Sequence, residues 1–265
     1  MQRLLDIAYL VPPIMEQFDS VCAQRLDDDR IDSEPILQIR KRSITQKLLR
    51  LLCSLHSVWH ELQIWEAGLQ NHDEAVLLYI SKLSSWSNAS RDPDESLRGK
   101  IFAVTYTFPS FELAGALIYK AAVEIFVLEL MADLKQHVVD RSGEISGSAT
   151  ASPTTTSEAD FVMERKATGI LAEDILSRDS GDLQQMSLDA ARRICSALEY
   201  FFGQDKKMTG RLVALFPFET AYRTFKKHSC ADDGNGCRRE LLFCDMVAEQ
   251  LQREGVPTNF QSSST

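Results

Sequence analysis

The sequence predicts an all-α protein: a multi-helix orthogonal bundle around a central buried helix, with a disordered Ser/Thr-rich loop. Three observations predict it. Apolar residues recur at helical spacing along most of the 265 residues. No run of alternating β-branched and aromatic residues stands between turn formers. Projected at about 100° per residue, Phe111 to Val139 is apolar in nearly every direction, the mark of a helix buried all round.

The elements follow in order. Pro13 to Arg25 reads as a short helix. Ser33 to Ala67 reads as one long helix or two; its entry holds Asp32 and Ser33, cap-type residues, and Pro35, which suits a first turn. Asn71 to Leu83 reads as a weaker helix. Ser87 to Glu95, dense in turn formers, reads as a loop. Leu97 to Tyr106 and Phe111 to Val139 come next, the second being the spine.

Arg141 to Ser157 is rich in Ser, Thr, Gly and Pro, with Ile145 its only large apolar residue. It buries too little surface to offset its ordering entropy and reads as a disordered linker. Helices resume at Phe161 to Arg178, Ser187 to Phe202, Gly210 to His228 and Arg238 to Arg253. Ser187, Asp189 and Ala190 make a plausible helix start. Residues 1–139 and 159–255 thus form two parts of one domain, joined by a linker at 140–158, with a frayed tail at 256–265. Phe108-Pro109 and Phe216-Pro217, each followed closely by Glu and Ala, read as two similar helix starts.

Composition narrows the function classes. Hydrophobic residues at 44% and charged residues at 25% exclude a wholly disordered chain, a collagen-like fibre and a disulfide-dense miniprotein. Lys and Arg number 29 against 38 Asp and Glu, a net charge of −9. That balance argues against a general nucleic-acid binder, which needs a basic footprint. The six cysteines, at 22, 53, 195, 230, 237 and 244, never form Cys-x-x-Cys. Several lie in apolar helical stretches, which points to reduced thiols and a cytosolic or nuclear setting.

The apolar N-terminus is interrupted by Asp6 and lacks a convincing signal cleavage site, so the sequon at Asn88 carries little weight. No transmembrane helix is expected. The richest apolar stretch, Phe111 to Met131, carries Glu112, Lys120, Glu124 and Glu129.

Candidate sites are few. Cys53, His56 and His60 share one helix face beside the stripe of Leu52, Leu55, Trp59 and Leu62, but a fourth ligand is missing and a packing role is favoured over a metal. Cys230, Cys237 and Cys244 follow no common zinc spacing. Arg40-Lys41-Arg42 reads as the solvated face of the long helix rather than as a localisation signal. Lys120 and Glu124, one turn apart on the spine, form an ion pair or face a cavity. In the second case Tyr106, Tyr119, Lys120 and Glu124, with His56, Trp59 and His60, are the candidate ligand-binding residues. No catalytic residue stands out, and no phosphate loop, nucleophile elbow, dinucleotide fingerprint or cofactor motif is present.

Two stretches resemble the C-terminal regulatory region of fungal zinc-cluster transcription factors, the fungal-specific transcription factor domain. The first is Phe102 to Leu130, with Phe108-Pro109, Phe111, Ala116, Leu117 and Tyr119 leading into the apolar helix. The second is Ala190 to Phe225, with Ala191 to Tyr200, Gly210 and Phe216-Pro217-Phe218-Glu219-Thr220-Ala221. The Ser/Thr-rich insertion between them is similar to that family's variable linkers. The six-cysteine zinc cluster that reads DNA in the family is absent from this sequence. The resemblance implies an all-helical regulatory module without its DNA reader, in nucleus or cytoplasm. It would act through protein contacts of a transcription complex or a second copy of itself, with a small-molecule effector as a further option. The alternative is a small-molecule enzyme or binding protein of fungal secondary metabolism on the same scaffold.

Overall fold

The structure, a computed structural model, describes residues 2–23, 34–70, 79–83, 104–146, 179–229 and 237–256. Among these the chain is all-α in class. Its helices are α1 (Gln2–Ala8), α2 (Val11–Ala23), α3 (Glu34–Gln70), α4 (Phe111–Ser146), α5 (Ser180–Phe201), α6 (Lys207–Ser229) and α7 (Arg238–Arg253). One short antiparallel pair, β1 (Tyr79–Leu83) and β2 (Val104–Thr107), interrupts them.

That pair corrects two expected helices. The ends of the stretches Asn71 to Leu83 and Leu97 to Tyr106 are extended, with Tyr79 opposite Thr107 and Ile80 opposite Tyr106. The Val104-Thr-Tyr-Thr run is built from good strand formers. It is too short to reveal itself without its partner, which lies more than twenty positions earlier in the sequence. The loop at Ser87 to Glu95 and the helix at Phe161 to Arg178 lie outside the described residues.

The helices divide between two compact units, each drawn from separate stretches of chain. Gln2–Ile64 and Phe126–Gln185 make one. There α3 buries Ile44, Leu48, Leu51, Leu55, Val58 and Leu62. That three-then-four spacing is a narrow apolar seam, so the rest of α3 faces out. Arg40 and Arg42 are exposed and Lys41 is half-buried, as a solvated face requires. In the same unit α1 and α2 bury Leu4, Ile7, Val11 and Ile14. The Phe18 ring lies 5.5 Å from that of His137.

Trp65–Ile125 and the chain from Met186 onward make the other unit. Its core joins α4, α5, α6 and α7 through Ile118, Ile125, Ile194, Leu198, Phe201, Phe218, Phe225, Val247 and Leu251, all nearly inaccessible. Each such side chain contributes on the order of 1.5–3 kcal/mol by leaving water. α4 is buried on almost every side, since Ala114, Ala116, Ile118, Lys120, Ala121, Ala122, Glu124 and Ile125 are all covered.

The helix boundaries have local causes. Ser110 opens α4: its Oγ accepts the Leu113 N–H at 3.1 Å, a side-chain cap for an orphan donor. α4 runs on to Ser146, so the opening of the stretch read as a linker is helical. α5 starts at Ser180, not near Ser187. Asp179 accepts the Gly181 N–H at 3.2 Å, and Asp182 follows in the first turn. The polar opening turns of α5 hide this start from a search for apolar periodicity.

Phe216-Pro217 is not a helix start either. Pro217 lies inside α6, ten residues from its beginning. It removes one backbone donor there, and the ring is buried. Gly210 sits where α6 leaves the turn after α5. A Cβ at 210 would strike the Phe201 carbonyl oxygen and approach the Lys206 Cβ to 2.8 Å, so the close approach requires glycine.

Candidate functional site

Lys120 defines the site. It stands on the most deeply buried helix with 1% of its surface exposed. An uncompensated ammonium there costs several kcal/mol, on the order of the whole stability margin. The fold supplies carboxylates. Nζ donates to Glu124 Oε2 one turn further along α4, at 2.8 Å. It also donates to Glu66 Oε2, near the end of α3, at 2.6 Å.

Arg193 of α5 completes the arrangement. Its guanidinium donates to the same Glu124 Oε2 at 2.6 Å and reaches within 3.8 Å of Glu66 Oε1. Two cations thus face two carboxylates. The interior end is closed, with Lys120 and Glu124 side chains 1% and 5% exposed. The outer end is not, with Glu66 and Arg193 at 21% and 41%. A single carboxylate oxygen that accepts two short charge-assisted bonds is held firmly in its ionised geometry.

The other residues singled out in the sequence fall into separate settings. Tyr106 lies at the edge of an aromatic cluster. Its ring is 6.4 Å from Phe108, and Phe108 meets Tyr200 edge-on at 5.1 Å. The Lys206 ammonium sits 4.9 Å from the Tyr200 ring centre. Asp205 bonds that ammonium, which pushes the Lys206 pKa up and the Asp205 pKa down. Tyr119 stacks on Phe216 of α6, with ring centres 5.7 Å apart.

His56 and Trp59 belong to the unit that contains residues 2–64, where their rings lie 5.7 Å apart. His60 is exposed on the same helix. Cys53 is half-buried, and that burial raises its thiol pKa. Among the described residues no three His, Cys, Asp or Glu side chains gather to hold a metal ion. Cys237 and Cys244 are buried in the α4–α7 core. The Cys244 pKa is raised, first by burial and then by its neighbour Cys195.

The structure therefore brings Lys120 and Glu124 together and adds two residues that the sequence did not offer. Glu66 and Arg193 lie 54 and 69 positions from their partners, beyond any helical repeat. The one available signal was the buried lysine itself, which obliges the fold to supply carboxylates.

A second network lies one residue away. Arg192 donates to Glu240 Oε1 at 3.1 and 3.0 Å and to Asp189 Oδ1 at 2.9 Å. Partial burial alone would lower the Arg192 pKa. The hydrogen bonds from Glu240 and Asp189 outweigh it and raise the value.

No protein-family model, no curated protein and no solved structure matches the chain. Among the described residues no helix is long and apolar enough to cross a membrane.

Proposed function

We propose that the chain is a helical regulatory module of the kind found in fungal transcription regulators. It acts through protein contacts, in nucleus or cytoplasm, without a zinc-cluster reader of its own. One observation carries this reading. The two stretches with the family resemblance, around Phe108 to Ile125 and Ala190 to Phe225, build a single shared core. Distant segments that resemble successive parts of one domain are expected to pack together if the likeness reflects a common fold.

The charge network supports a regulatory role over catalysis. Lys120 and Glu124 are the only acid–base pair that the sequence singled out on the spine, and each is engaged by oppositely charged partners. Such a network fixes helix positions, whereas a general acid or base needs a lone pair or proton aimed at substrate.

Fusing the chain to an unrelated DNA-binding domain tests the proposal. Reporter output should change by about tenfold, a coupling of about 1.4 kcal/mol, typical of regulatory effects. Unchanged output from a well-expressed nuclear fusion would sink the reading. Protein-dependent conversion of a metabolite in cell extract would replace it with the enzyme reading.

A further inference from the structure

α6 is the most basic described helix of an acidic protein. It carries Lys207, Arg211, Arg223, Lys226 and Lys227 against Glu219 alone, in a chain of net charge −9. It also presents large apolar side chains to solvent in a line. Met208, Leu212 and Phe216 are 46%, 56% and 42% exposed. They recur every fourth residue and so stay within about 80° of one another.

Tyr119 stacks on Phe216 and widens the strip toward α4. Lys207 lies at one end, and Arg223 and Lys226 continue the same face beyond Phe216. Glu219 lies between them and holds Arg223 at 2.5 Å. Arg211, on the flank toward α7, bonds Glu254.

Single exposed apolar residues need no explanation. Three in line with cations at both ends have the anatomy of a groove-side anchor for a helix. From this we infer that the exposed face of α6 docks an acidic amphipathic helix of a partner protein. The apolar residues of that helix would cover Met208, Leu212 and Phe216. Its Asp and Glu side chains would meet Lys207, Arg223 and Lys226.

The strip is about 12 Å long, two turns of a partner helix. A second copy presenting the same face would set like charges against each other, which opposes a two-fold dimer here. Nucleic acid would satisfy the cations and leave the apolar strip in water. The inference deepens the protein-contact reading above and rests on it for its biological meaning, though not for its chemistry.

The intact protein can be titrated into a fluorescent synthetic helix with Leu every third or fourth position and Glu between. A Lys-for-Glu version and a DNA duplex serve as competitors. The acidic helix should bind at least about tenfold more tightly than the Lys version, and more weakly as salt rises. Leu212→Glu should weaken binding by about tenfold or more. Leu212 is more than half exposed, so this variant should keep its helical circular dichroism and Tm; Lys207→Glu and Lys226→Glu are a second probe independent of packing.

Equal binding of both helices, binding untouched by Leu212→Glu, or tighter binding of DNA would overturn the proposal. So would a concentration-dependent dimer that Leu212→Glu abolishes, which would make the face a self-interface. Probe binding without a reporter response would strike the regulatory reading alone. A reporter response without probe binding would strike the α6 face alone.

Discussion

Arg192 and Arg193 are neighbours on α5 with almost equal exposure, 36% and 41%. Each holds two carboxylates. Arg193, however, shares its carboxylates with Lys120, a cation 1% exposed. Arg192 shares Glu240 and Asp189 with no buried cation among its described partners. Cutting the first network strands a charge in the core, whereas cutting the second returns its charges largely to water. The position of the hidden member, not the number of bonds, sets the cost.

The largest expected effect tests this directly. Glu124→Ala should destabilise by about 3 kcal/mol or more, because Lys120 keeps only Glu66 and Arg193 loses its shortest bond. Urea unfolding would read it. A loss below about 1 kcal/mol would erase the contrast between the two networks.

Removing both buried charges should reverse most of that loss. Lys120→Met with Glu124→Leu leaves Glu66 and Arg193 facing each other, and apolar replacement of a buried pair is often neutral or better. The double variant should lie within about 1 kcal/mol of the parent. A double-mutant cycle would then assign the coupling to the pair.

In the outer network Arg192→Ala should cost about 1 kcal/mol, since Glu240 is mostly buried but can reach solvent. Asp189 is 58% exposed, so Asp189→Ala should change stability by less than about 0.5 kcal/mol. It should lose that small effect in high salt.

A third pair sharpens the comparison through pH. Arg211 holds the Glu254 carboxyl below its ordinary pKa, chiefly by their hydrogen bond. A carboxyl lowered in the folded state stabilises above the ordinary carboxylate range. That contribution disappears as pH falls through the folded value. Arg211→Ala should therefore flatten the acid limb of a Tm–pH curve. Tyr222 has the opposite sign. Burial, and then its bond to Asp245, raise its pKa. Its contribution is complete below the ordinary tyrosine value and is lost as pH rises beyond it.

Both helices with the deepest burial were legible in the sequence, for different reasons. α3 shows a seam at three-four spacing, and α4 shows apolar residues in every direction. Both patterns are local, so a window of a few turns contains them. The α5 start was missed because Asp179 and the first turns are polar. The β1–β2 pair was missed because strand identity depends on a partner, and Val104 to Thr107 finds its own far back in the chain. Half of the central network was legible, since Lys120 and Glu124 are one helical turn apart.

What the sequence determined alone is thus the helical class, the buried spine and the presence of a lysine that had to be neutralised. Only the tertiary structure decided that Glu66 and Arg193 neutralise it with Glu124. It also decided that Arg192 and Arg193 serve different networks, and that Met208, Leu212 and Phe216 remain in solvent. The reason is the range of the interactions. Periodicity and capping act within a few residues of chain, where spacing fixes geometry. Ion pairs and exposed faces depend on which distant helix packs alongside, and one helical repeat carries no record of that.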